Sequence, residues 1–218
     1  MKRLALFLLL TTLSAIGAVA QTFEDCSGNY HRRFNEVQLK RTLHELDDDT
    51  ADALLFELNA TLDDCLIGSD APDYSFVGRS GNIYTKESLK GKVVMMNFWS
   101  VNCGPCIMEI PVLNKLHFDY KDNQDLVLIS VLLDKEEDLQ RYLDGRFSKR
   151  QIFFDVVPNS KTAMKNDFKI VKSYPTNLFI DRQGRIYMRT TGGIIDKEDE
   201  PRLEAKLKAI IDEGLAMN

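Results

Sequence analysis

The chain has 218 residues, 44% hydrophobic and 28% charged, with a formal net charge of −5. This length suits one globular domain plus an appendage and is too short for two full domains. Loss of Lys2 and Arg3 would leave 26 basic residues against 33 acidic ones, a charge of −7; such a surface excludes nucleic acid and anionic lipid as expected partners.

Lys2 and Arg3 precede the apolar stretch Leu4–Leu13, and Ala18-Val19-Ala20 places small residues before Gln21. This pattern predicts a secretory signal peptide over residues 1–20, cleaved near Ala20–Gln21. The rival is a membrane anchor. The apolar run from Leu4 to Ala20 is slightly short for a span, however, and contains Thr11, Thr12, Ser14 and Gly17. Cys26 lies too far downstream for a lipid anchor. The protein is therefore expected in the periplasm or another extracytoplasmic space.

Residues 31–66 read as a helical hairpin: Phe34, Val37, Leu39, Leu43 and Leu46, then Ala53, Leu54, Phe56, Leu58 and Leu62, recur at helical spacing. Asp47-Asp48-Asp49 separates the two helices and offers an N-cap. Gly68-Ser69-Asp70-Ala71-Pro72 marks a boundary, giving a helical extension over 21–69 and a main domain over 70–218. Tyr74–Val77 and Asn82–Tyr84 flank a Gly78–Gly81 turn and predict a β-hairpin. Val93–Trp99 is a continuous apolar run suited to a strand buried on both faces. A helix follows over 104–120, bent or broken near Pro111. Leu126–Leu133 predicts a second buried strand, 135–144 an acidic helix and Ile152–Phe154 a short strand. Ser160–Asn166 predicts a short helix with a serine cap. Thr176–Ile180 and Arg185–Thr190 are strands joined by the turn Asp181–Gly184, and a helix over 199–215 ends the chain. The order predicts an α/β fold with a mixed central sheet flanked by helices.

Cys26, Cys65, Cys103 and Cys106 divide by spacing. Cys103 and Cys106 flank Gly104-Pro105 where a buried strand runs into a helix. The first helical amides lack internal partners, and the peptide dipoles favour negative charge there. A thiol at this end ionises more easily, and the thiolate is the attacking species in disulfide exchange. Cys103 is then the nucleophile, and Cys106, one turn further in, is placed to resolve a mixed disulfide. A zinc site would need four ligands, and His117 lies about 16 Å along the same helix. A purely structural bridge would close almost no loop. Cys26 and Cys65 bracket the helical hairpin, and in an exported protein the base expectation is a structural disulfide. Their 39-residue separation gives it a worth of roughly 4 kcal/mol; a second redox couple is the sharper and less favoured alternative.

Ala71-Pro72, Leu89–Val94, Asn97-Phe98-Trp99, Cys103-Gly104-Pro105-Cys106, Glu109-Ile110-Pro111, Tyr174-Pro175-Thr176 and Ile180–Gly184 together resemble the TlpA/ResA branch of the thioredoxin superfamily. The resemblance spans residues 71–217, about three quarters of the chain after residue 20. It implies a thioredoxin-like fold with an N-terminal β-hairpin. It also implies a cis Pro175 facing the cysteine pair, a buried Glu109 exchanging a proton with Cys106, and a structural kink at Pro111. Asn97 occupies the position where cytoplasmic thioredoxins carry a buried aspartate. Asn102 departs from the family, which has Trp immediately before the first cysteine, so the apolar lip that meets partners is altered.

These features predict an exported protein-disulfide oxidoreductase that needs no cofactor. Gly-Pro between the cysteines is the dipeptide of reducing thioredoxins, which work near about −270 mV. The expected substrates are thiols and disulfides of exported proteins, apocytochrome c among them, with a membrane thiol-electron transporter as reductant. Two alternatives stay open: a thiol peroxidase, and an interaction module of thioredoxin fold whose helical extension is the working part.

Overall fold

The computed structural model describes residues 21–145 and 151–217; the expected signal segment lies outside them. Helices α1 (Phe23–Thr42) and α2 (Asp48–Leu66) form an antiparallel pair. Helix α1 begins about eight residues before its expected start. A capping box fixes it there: the Thr22 hydroxyl accepts from the Asp25 amide, and the Asp25 carboxylate accepts from the Thr22 amide. The weak helix formers Ser27, Gly28 and Asn29 hide this turn in the sequence. Cys26 consequently sits inside α1, not ahead of it. Its sulfur meets that of Cys65 at bonding distance, with the two Cα atoms 5.8 Å apart.

Strands β1 (Ser75–Val77) and β2 (Ile83–Thr85) form a separate antiparallel hairpin. The main sheet comprises β3 (Val93–Trp99), β4 (Leu126–Leu132), β5 (Asp155–Val157), β6 (Thr176–Ile180) and β7 (Ile186–Thr191), in the order β5-β4-β3-β6-β7. β3 pairs in parallel with β4 and antiparallel with β6, so the sheet is mixed. Helices α3 (Gly104–Asp119), α4 (Glu136–Asp144), α5 (Lys161–Asn166) and α6 (Glu200–Ala216) complete the fold.

Three details depart from the sequence reading. The short strand is Asp155–Val157 and not Ile152–Phe154; the Asp155 carboxylate is engaged by Ser80 and Tyr84. The Ser160 hydroxyl does not cap α5 but donates to the Val157 carbonyl at 3.1 Å. Helix α3 is not broken at Pro111, which lies inside it.

All seven residues of β3 are buried. Val94, Met96 and Phe98 join a cluster with Phe76, Phe168 and Leu178 that also includes Phe23, Tyr30, Leu58, Leu62 and Leu66 from the extension. Val93 and Met95 face α3 and α6 through Leu113, Leu116, Leu207 and Ile211. The extension thus completes the same core as one face of the sheet. The segment read as a boundary is itself tied down, for Gly68 donates to the Ile186 carbonyl and Ile186 to that of Ser69. Arg189 on β7, its side chain only 2% exposed, pairs with Asp63 on α2 at 2.6 Å and donates to the Asn59 side chain at 3.0 Å. Tyr30 donates to the same Asn59 oxygen.

Phe168 holds these layers together, its ring 5.0 Å from Phe98, 5.9 Å from Phe76 and 6.4 Å from Phe23. Phe168→Ala should therefore lower stability by about 3–5 kcal/mol, seen as a reduced midpoint in urea unfolding followed by Trp99 fluorescence.

Candidate functional site

The site lies where β3 ends and α3 begins. The approach loop is held from several sides: Trp99 donates to the buried Ser130 hydroxyl at 2.6 Å, and the Val101 amide to Asp134 at 2.9 Å. Cys103 then occupies the N-cap of α3, and its sulfur accepts from the Cys106 amide at 3.2 Å. Pro105 takes a first-turn position where no amide hydrogen is required. The two sulfurs are joined, with Cα atoms 5.3 Å apart. Their surroundings differ. Cys103 is partly exposed, whereas Cys106 is 2% exposed and packs with Trp99, Ile107, Ile110 and Leu132. Chemically, the outer sulfur is open to attack by or on another molecule and the inner one is shielded.

The Tyr174–Pro175 bond is cis, and Pro175 is buried. The loop after β7 closes against it: a Cβ on Gly193 would come within 2.9 Å of Pro175 Cγ and 3.0 Å of the Pro105 carbonyl oxygen. Only glycine permits this approach. Phe98 and Trp99 belong to the core, and Tyr174 is partly exposed.

Glu109 lies one helical turn past Cys106 and is fully buried. Burial pushes its carboxyl up to about 7, against weaker lowering by the Asn177 and Asn97 amides and the charge of Lys206. Asn177 Nδ2 donates to Glu109 Oε1 at 2.9 Å, and Asn97 Nδ2 donates to Asn177 Oδ1 at 2.8 Å. Glu109 Oε2 has no hydrogen-bond partner among the described residues. A carboxyl of this kind can change protonation near neutral pH. Asn177 did not stand out in the sequence. The available signal was a polar residue directly before the apolar run Leu178–Ile180, two positions after Pro175.

Cys103, Cys106 and Glu109 thus share α3, and Pro175 and Asn177 reach them from the start of β6. Cys26 and Cys65 belong to the extension and pack in the other cluster, on the opposite side of the sheet. Among the described residues, no three His, Cys, Asp or Glu side chains gather as metal ligands. No helix among them is long and apolar enough to cross a membrane.

Residues 67–189 match the family model described as AhpC/TSA family. The thioredoxin-like protein YneN of Bacillus subtilis (strain 168) is 30% identical over 137 residues, covering 63% of this chain and 78% of that protein. The thiol-disulfide oxidoreductase ResA of Geobacillus kaustophilus (strain HTA426) is 27% identical over 139 residues, covering 64% and 77%. Among solved structures, the Chlorobium tepidum protein described as thiol:disulfide interchange protein DsbE superposes with a TM-score of 0.54 at 27% identity, covering 66% of this chain and 97% of that one. The match across more than half the chain, with a cysteine pair capping a helix beside a cis proline, shows that this chain belongs to the AhpC/TSA family as a thioredoxin-like, ResA-type thiol–disulfide oxidoreductase.

Proposed function

We propose that the protein is exported and reduces disulfides of other exported proteins through Cys103 and Cys106. The observation that carries this reading is the asymmetry of the pair: one sulfur partly exposed at a helix N-cap, the other buried a turn deeper, with a buried carboxyl raised to about 7 one further turn along the helix. In the reducing direction the Cys103 thiolate attacks a substrate disulfide, displacing one substrate sulfur as thiolate. Glu109, as carboxylate, accepts the proton of Cys106. The Cys106 thiolate then attacks Cys103 Sγ, the second substrate sulfur leaves, and the protein retains the Cys103–Cys106 disulfide. The backbone next to Pro175 is offered to an extended substrate. The Gly-Pro dipeptide supports the reducing direction. Renewed activity then requires a thiol-based reductant, which in an oxidising compartment means a membrane electron transporter; apocytochrome cysteines fit as substrates because they must stay reduced. Export itself rests on the basic-apolar-small pattern of residues 1–20.

The direct test is insulin reduction together with the redox potential of the Cys103–Cys106 couple. Cys103→Ser should abolish insulin reduction, Cys106→Ala should accumulate mixed disulfides that identify natural substrates, and the potential should fall near about −270 mV. Full activity in Cys103→Ser would favour an interaction module, a potential near about −120 mV would favour an oxidase, and rapid peroxide consumption would favour a peroxidase.

Glu109 also makes a stability signature. Its carboxyl rises from 4.5 to about 7 on burial, so between those values the native state binds the extra proton and stability falls as pH rises. Glu109→Gln removes this penalty. In urea unfolding the variant should match the wild type near pH 4 and exceed it by about 3 kcal/mol at pH 8.

For Cys26 and Cys65 we propose a structural staple between α1 and α2. Replacing both with Ser should cost roughly 4 kcal/mol by the chain-entropy relation and leave insulin reduction at low temperature unchanged. A loss of activity without a loss of stability would instead mark them as a second redox couple.

A further inference from the structure

We propose that Asn177 is a positioning residue that dictates which oxygen of Glu109 exchanges the proton, and that Asn97 fixes the orientation of its amide. The inference rests on the reading of Glu109 as the proton acceptor for Cys106.

The antiparallel register of β3 and β6 sets Asn97 directly across from Asn177. Both are buried, at 5% and 1% exposure, and a buried side-chain amide is costly unless hydrogen-bonded. Their hydrogen bonds fix which way the Asn177 amide points. Asn97 Nδ2 occupies Asn177 Oδ1, so the Asn177 amide must turn its donor outward, towards α3, where it meets Glu109 Oε1. The chain of donors thus runs one way: Asn97 to Asn177 to Glu109. An oxygen that accepts a fixed N–H is a poor place for a proton. The exchangeable proton therefore resides on Oε2, the oxygen with no partner among the described residues, on the carboxyl one helical turn from Cys106.

The same bond favours the carboxylate over the acid. The groups acting on Glu109 are the Asn97 amide from β3, the Asn177 amide from β6 and the positive charge of Lys206 from α6, and Cys106 lies one turn earlier on its own helix. Of the hydrogen bonds among them, that from Asn177 acts most strongly on the carboxyl. Asn177 also stands two residues after the cis Pro175, so the strand that meets the substrate also sets the acceptor for the inner thiol.

The test uses the reduced protein and dithiobis(nitrobenzoate). Attack by Cys103 releases one coloured thiolate and leaves a mixed disulfide; attack by Cys106 on Cys103 Sγ releases the second. The second phase reports the step that needs Glu109. In Asn177→Leu the pH midpoint of the second phase should move up by about one unit, a release about fivefold slower at the wild-type midpoint and about tenfold slower well below it, while the first phase is unchanged. The shift should vanish when Asn177→Leu is placed in a Glu109→Gln background. Asn97→Ala, which frees the Asn177 amide to rotate, should move the midpoint the same way by less, and it carries the test if Asn177→Leu fails to fold. An unmoved midpoint in a folded variant, or an equal shift with Glu109 already replaced, would overturn the inference. Glu109→Gln leaving the second phase of the parent protein intact would sink the underlying reading of Glu109 first.

Discussion

The structure depends on β3 being held on every side. Its ladder bonds run to β4 on one edge and β6 on the other, and alternate side chains enter clusters on both faces. A strand so confined cannot slide by one residue without turning Asn97 into the apolar cluster and Phe98 towards α3. Because its end is fixed, the start of α3 is fixed, and with it the position of Cys103 at the mouth of that helix. The chemistry at the surface is therefore set by packing several residues back in the chain.

Two electrostatic environments follow from this arrangement, only one turn apart. At the N-cap, unpartnered amides and the helix dipole favour charge on sulfur, and the Cys106 amide already points at Cys103 Sγ. One turn inward, Cys106 is buried, and a turn beyond it burial disfavours charge on Glu109. A sulfur in the first setting is readily a nucleophile or leaving group; one in the second must first lose its proton to a nearby base. On the proposed mechanism, depth along a helix would set the order of events in disulfide exchange.

Most of this was legible from sequence because period and punctuation agree. Val93–Trp99 could only be a strand buried on both faces, and the Cys-Gly-Pro-Cys run marked a strand-to-helix junction with chemistry attached. What escaped notice was polar. Thr22 and Asp25 extend α1 through a capping box that no hydrophobic spacing reveals. Asp155 begins β5 because Ser80 and Tyr84 come to it from 75 and 71 residues away. Asn177 becomes meaningful only when the β3–β6 register sets it opposite Asn97. The miss at Ser160 has the same origin: its hydroxyl found a better partner in the preceding strand end than in the helix it was expected to cap. Local pattern reports burial well and reports the pairing of distant polar groups poorly.

The buried Arg189–Asp63 pair carries a last consequence. Arg189 belongs to the catalytic sheet, whereas Asp63 and Asn59 lie in α2, before the region matched by the family model. A fragment pared back to the matched region would strand a guanidinium with no counter-charge and lay bare the apolar faces of Phe168 and Ile186. The minimal working unit of this chain is accordingly larger than its family signature. Grafting the catalytic module into another scaffold would require a substitute for the two helices as well as the cysteine motif.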